Sequence, residues 1–296
     1  MASRRAASCL MALAALAALT SCAETRELNP LERAIATNES RHVAERFEER
    51  PVVVDDTQGV ASLRLFFSNS ETLVVSDATV EAQLRAASIA VAAHAPMIVY
   101  DPARHQEISQ EVERLRTHTV LTVGDVSLAR TSGRVRVYRD PGGPAALGVM
   151  MAVRFNQRPV SDPADAVAEV AALDPRDPTW LRATWAEPAV MKGAEAKPFP
   201  IMSRRDAQMA PAVVATAESS IASVANARSF GADVVVVDDP DPRASEETLF
   251  AMAGLADLPL VALGAQFGPD DKLRAEIMQA EESYLLDDGA GPTPAH

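Results

Sequence analysis

The 296-residue chain is long enough for one large core or two modest ones, and its 41 acids against 28 Lys and Arg leave a formal charge of −13. That balance argues against nucleic acid or an anionic phospholipid surface as a partner, because phosphate binding needs a basic face. Aromatic residues make up only 4%, which disfavours a conventional sugar-stacking module.

In chain order, the first element is a short apolar run, Ala6 to Leu19, behind Arg4 and Arg5. This is the charged start and apolar centre of a secretory signal. A spanning helix needs roughly 20 apolar residues, and this run is shorter. It ends at Leu19-Thr20-Ser21-Cys22, which resembles a lipobox. The resemblance implies cleavage of residues 1–21 before Cys22 and lipidation of the cysteine sulfur. It also implies attachment to the extracytoplasmic face of the cell membrane. Cys9 leaves with the signal, so Cys22 stands alone and forms no internal disulfide. Two acyl chains there give stable anchoring where one is marginal. Arg4-Arg5 leaves twin-arginine export open, but the Ala-Ala-Ser that follows matches it poorly and Sec is the default.

Residues 22–50 read as a polar tether with a short helix near Leu31 to Ile35. A pattern that occurs twice follows. The first unit, residues 51–173, holds Thr72 to Asp77 as a strand, a helix from Val80 to Ala93, and a strand at Pro96 to Asp101. A helix near Glu107 to Leu115 and a strand from Thr119 to Val123, ending at Gly124, complete that copy. Val135 to Tyr138 adds a strand closed by Asp140-Pro141-Gly142-Gly143, and Ser161-Asp162-Pro163 starts a helix. Residues 174–200 are Pro-rich and read as a connector. The second unit, residues 201–286, repeats the order from Pro211 to Gly264, and residues 287–296 read as a disordered tail. Short continuous apolar strands alternating with Ala-rich helices predict an α/β fold of two Rossmann-like parallel-sheet units.

The run Ala87-Ser88-Ile89-Ala90-Val91-Ala92-Ala93-His94-Ala95-Pro96-Met97-Ile98-Val99, with Thr119-Val120-Leu121-Thr122-Val123-Gly124-Asp125 after it, resembles the cell wall-binding repeat type 2 family. The overall composition, rich in Ala, Arg, Asp and Pro, is of an actinobacterial type. The family resemblance implies small Rossmann-like units that hold proteins non-covalently to anionic wall polymers. It covers residues 60–130 well and 211–268 more weakly.

Ligands of open parallel sheets sit at the carboxyl ends of the strands. Those ends offer Ser76, Asp77, Asp101, Gly124 and Asp125 in the first copy, and Thr216, Glu218, Asp238, Asp239 and Gly264 in the second. Asp77, Asp101 and Asp125 are suited to a hard cation if they converge, but Asp after a strand also turns the chain or caps a helix. Arg243, in the stiff turn Asp239-Pro240-Asp241-Pro242-Arg243, either meets an anionic ligand or pairs with Asp241. The ligand-binding candidates are therefore Ser76, Asp77, Asp101, Asp125, Asp239 and Arg243, with no metal and no cofactor assigned. Gly-x-Ser-x-Gly, the phosphate loop and the dinucleotide fingerprint are all missing from the sequence. The expectation is a non-catalytic, lipid-anchored envelope protein that binds a wall polymer or a protein partner. The alternative is a solute-binding lipoprotein. It requires two lobes linked by more than one crossover, with a cleft between them.

Overall fold

The computed structural model describes residues 28–128, 133–203 and 209–289. The signal segment 1–21, with Leu19, Thr20 and Ser21, and the lipidation site Cys22 lie outside the described residues. So do residues 290–296 of the expected tail. No helix among the described residues is long and apolar enough to cross a membrane.

Helix α1 (Pro30–Glu39) opens on a reciprocal cap. The Glu32 amide donates to the Asn29 side chain at 2.8 Å, and the Asn29 amide donates to the Glu32 carboxylate at 3.0 Å. Then come β1 (Pro51–Val54), α2 (Val60–Phe66), β2 (Thr72–Ser76), α3 (Val80–Ala93), β3 (Met97–Val99), α4 (His105–Arg114), β4 (Thr119–Val123) and β5 (Arg136–Arg139). The middle of the chain supplies α5 (Gly143–Met151), β6 (Asn156–Val160), α6 (Ala166–Ala171) and β7 (Thr179–Ala183). The last part supplies β8 (Ala212–Ala215), α7 (Ile221–Phe230), β9 (Val234–Val236), α8 (Glu246–Met252), β10 (Leu260–Leu263) and α9 (Asp270–Gly289).

The protein is α/β, with two all-parallel four-stranded sheets flanked by helices. Their orders, β3-β2-β4-β5 and β9-β8-β10-β1, are the same topology. The source of the fourth strand differs. In the first sheet it follows β4 in the chain, whereas in the second it comes from the amino-terminal end, with Pro51 to Val54 paired against Leu260 to Leu263. A division at residue 51 puts this strand with the first unit, but hydrogen bonding puts it with the last. Nothing local in Pro-Val-Val-Val says which sheet has a free edge. The connector expected at 174–200 likewise contains β7, which pairs in parallel with β6 from Asn156↔Thr179 to Val160↔Ala183. Its Pro-rich flanks hide a strand in which Trp180 and Leu181 are buried. Helix α9 continues to Gly289, into the first residues of the expected tail.

The two sheets and the β6-β7 pair are arranged cyclically. Helices α3, α6 and α7 pack on one another, and each also leans on a strand of the next unit: α3 on β7, α6 on β9, α7 on β3. Small side chains make that close approach possible. Every residue of α3 from Leu84 to Ala93 is buried, so this helix is enclosed all round rather than amphipathic. One continuous core takes side chains from all three units. Phe47, Phe66 and Phe230 meet at its edge, with ring centroids 5.6–6.0 Å apart, so the segment before β1 is tied to α2 and α7.

Candidate functional site

At the carboxyl end of the first sheet, β2 carries Ser76 and Asp77 beside the end of β4. Asp77 Oδ1 accepts from the amide and hydroxyl of Thr79 at 2.8 and 2.6 Å, and Oδ2 accepts from the Asp125 amide at 2.7 Å. Its carboxylate lies over Gly124, where an added Cβ would sit 2.1 Å from Oδ2. Gly124 is required for that reason and because its φ is +82°. The Ser76 hydroxyl is buried without a hydrogen-bond partner. Asp101 caps a short 3-10 turn, accepting from the Ala103 amide at 2.9 Å and from Gln58 Nε2 at 3.0 Å. Asp125 meets Asp77 through its backbone, and its own side chain is exposed. Among the described residues, no three acidic, His or Cys side chains gather closely enough to hold a metal ion.

The second sheet closes the same crevice with a different residue. Gln266, two positions beyond Gly264, folds back so that Nε2 donates to Thr216 Oγ1 at 2.8 Å and to the Leu263 carbonyl at 3.3 Å. An added Cβ on Gly264, whose φ is +128°, would lie 2.1 Å from Gln266 Oε1. Asp239 accepts from the Asp241 amide at 2.9 Å. Arg243 pairs with Asp241 at 2.6 Å and with Glu276 at 2.6 Å, and Nη1 reaches Gln279 at 3.1 Å. The side-chain hydrogen bond from Arg243 holds the Asp241 carboxyl below the usual carboxylate range. At both strand ends a side chain of the chain itself thus lies against the closing glycine.

Polar residues that the motifs did not single out join the units. Arg85, fully buried in α3, donates Nε to Asp140 Oδ2 and Nη2 to Asp140 Oδ1 at 2.9 Å and to the Gly143 carbonyl at 3.1 Å. Its guanidinium lies 5.0 Å from the Trp180 ring centroid, which brings α3, the β5–α5 turn and β7 together. Nη1 has no hydrogen-bond partner. Asn226 of α7 accepts from the Met97 amide at 2.7 Å and donates to the Met97 carbonyl at 3.0 Å. The visible signal for these residues is a polar side chain inside an otherwise apolar helix. Trp185 is exposed and donates to Glu81 at 3.2 Å.

Open space lies at the rims of the units. A groove of about 360 Å³ is lined by Pro141, Gly142, Gly143, Trp180 and Arg182. Another of about 470 Å³ runs along β5, from Arg136 to Arg139, and is bordered by Gly193, Glu195 and Lys197. A third, of about 320 Å³, lies between Asn38 to Phe47 and Leu255 to Pro259.

No family model matches the chain, and no curated protein matches it. Among solved structures the chain is similar to Cwp6 from Clostridium difficile, at 13% sequence identity and a TM-score of 0.47, over 77% of this chain and 48% of that one. The chain therefore spans about half the length of the structure it matches.

Proposed function

We propose that this is a non-catalytic, lipid-anchored protein of the cell envelope that binds a wall polymer or a protein partner. It is held at the extracytoplasmic face by Cys22. The resemblance of residues 87–99 and 119–125 to the cell wall-binding repeat type 2 family supports the polymer. The observation that carries the non-catalytic reading is that Asp77 and Gln266 lie over the glycines that close the two strand ends. In an open parallel sheet those ends are where substrate normally sits. Sedimentation with purified cell wall, comparing the full chain with Cys22→Ala, tests the reading. Retention of both forms on the wall is expected, with only the parent also partitioning into detergent-extracted membrane. Loss of wall retention in both forms removes the polymer.

The second reading, a solute-binding lipoprotein, has one observation in its favour. The chain crosses between the two sheets more than once, since β1 belongs to the last sheet. Against it, α3 and α7 pack directly together between the sheets, where a closing cleft is needed.

A further inference from the structure

Parallel sheets expose unpaired backbone groups at their edge strands, and this protein caps outward amides on β1, β3 and β7. On β1, the Val53 amide donates to Asp270 Oδ1 at 2.7 Å. On β3, the Met97 amide donates to Asn226 and the Val99 amide to the Gln58 carbonyl at 2.8 Å. On β7, the Leu181 amide donates to Ser88 Oγ at 2.9 Å. Strand β6 carries Pro159, which has no amide hydrogen, and α6 packs against β9.

Strand β5 lacks such a cap among the described residues and borders an open groove. The Arg136 and Asp140 amides donate to His118 and Thr122 of the β4 side, both at 2.8 Å, so Val137 and Arg139 face outward. Among the described residues their amides have no partner. The 470 Å³ groove touches four consecutive residues of β5, whose side chains alternate between faces. A cavity meets all four only by running along the strand's edge.

The border of this edge is basic in a chain that is otherwise acidic. Arg136 is exposed and makes no ion pair with a described residue. Arg139 is anchored by a bond from Nη1 to the Lys192 carbonyl at 2.7 Å. Lys197 lies 5.6 Å from the centroid of the Tyr138 ring and 3.3 Å from Glu195. Two of the chain's lysines, Lys192 and Lys197, lie in the segment facing β5. A second copy of the same edge would oppose arginine with arginine, so the charge selects a different occupant.

We propose that the β5 edge docks an extended acidic polypeptide segment of a partner protein, which adds to the sheet as a further strand. Main-chain bonds to Val137 and Arg139 would supply the pairing, and Arg136, Arg139 and Lys197 would select acidic side chains. This specifies the protein-partner side of the function proposed above and rests on that side alone.

Fluorescence anisotropy with the full chain and a labelled synthetic peptide of alternating Glu and Val tests it. Binding is expected, and weakening by about tenfold or more in Arg136→Glu/Arg139→Glu. Val137→Pro, which removes one outward amide without changing charge, should weaken it similarly. If that variant fails to fold by circular dichroism, the same peptide N-methylated on alternate amides makes the equivalent test from the ligand's side. Equal binding of the N-methylated peptide overturns strand addition, because charge alone would then explain the affinity. Binding of poly(glycerol phosphate) without binding of the peptide assigns the groove to a polymer and overturns the inference. Self-association that Arg136→Glu/Arg139→Glu abolishes would overturn it too. Failure of the peptide with wall retention intact leaves the polymer side of the proposed function standing, and the converse leaves this site standing.

Discussion

Arg85 and Asp140 are both almost fully enclosed, with 1% and 2% of their side chains exposed. A buried pair adds little net stability over an apolar replacement, but removing one partner leaves an unpaired charge in the core. Asp140→Ala is therefore expected to cost about 3–5 kcal/mol in urea-induced unfolding. Arg85→Met/Asp140→Leu should lie closer to the parent than either single change does. Glu281 carries a pH dependence of opposite sign to that of an ion-paired acid. Burial raises its carboxyl above the ordinary value of 4.5 and nearby Glu39 adds to the rise, while the Gly254 amide lowers it. The folded state thus holds the proton more tightly than the unfolded state. That contribution is fully present below about pH 4.5 and is lost as pH rises through the folded value. Glu281→Gln, whose oxygen still accepts from Gly254, should raise Tm at pH 7 relative to the parent, with the gain shrinking towards pH 4. An unchanged difference across that range would remove Glu281 as its source. Asp241, lowered by its bond from Arg243, behaves in the other sense and loses its contribution as pH falls.

At the scale of elements, the glycines that close the strand β4 and β10 loops belong to the plugs as much as to the turns. Gly124→Ala is expected to cost at least about 2 kcal/mol, combining left-handed strain with displacement of a carboxylate held by three hydrogen bonds. Gly133→Ala is the matched control, since its φ is +65° and an added Cβ there meets nothing within 4 Å. It should cost about 1 kcal/mol from strain alone. Similar losses in denaturant melts of the two variants would show that the plug contributes nothing. The strand-ending glycines were legible in the sequence, and so were helices α3 and α7 from their Ala-rich spacing. What covers the glycines was not legible. Asp77 lies well before Gly124 in the chain and Gln266 follows Gly264 closely, so no common spacing marks them. Asp239 and Arg243 were legible as a stiff turn, and the partners Glu276 and Gln279 come from α9, a helix distant in sequence.

For the molecule as a whole, α7 on β3 closes a cycle in which every unit leans on the next. The continuous core and the α3–α7 contact make the two sheets mutually dependent, so calorimetry should record one cooperative transition. Deleting residues 1–54 bares β10 and removes Phe47 from its ring cluster, and should lower Tm and promote aggregation through the freed edge. Two separated transitions in the full chain would contradict the cyclic arrangement. The sequence alone determined the strands and helices of the two copies, because apolar periodicity, Ala-rich helices and Pro or Gly punctuation act within a few residues of one another. It also determined the parallel α/β class. The tertiary structure alone decided that β1 belongs to the last sheet, that Thr179 to Ala183 is a strand, and that Asp77, Asp101 and Asp239 are engaged by their own chain. It also decided that, among the described residues, the outward amides of β5 are left without a partner. These depend on which edges remain unpaired once the helices pack, a property of distant contacts that no local pattern encodes.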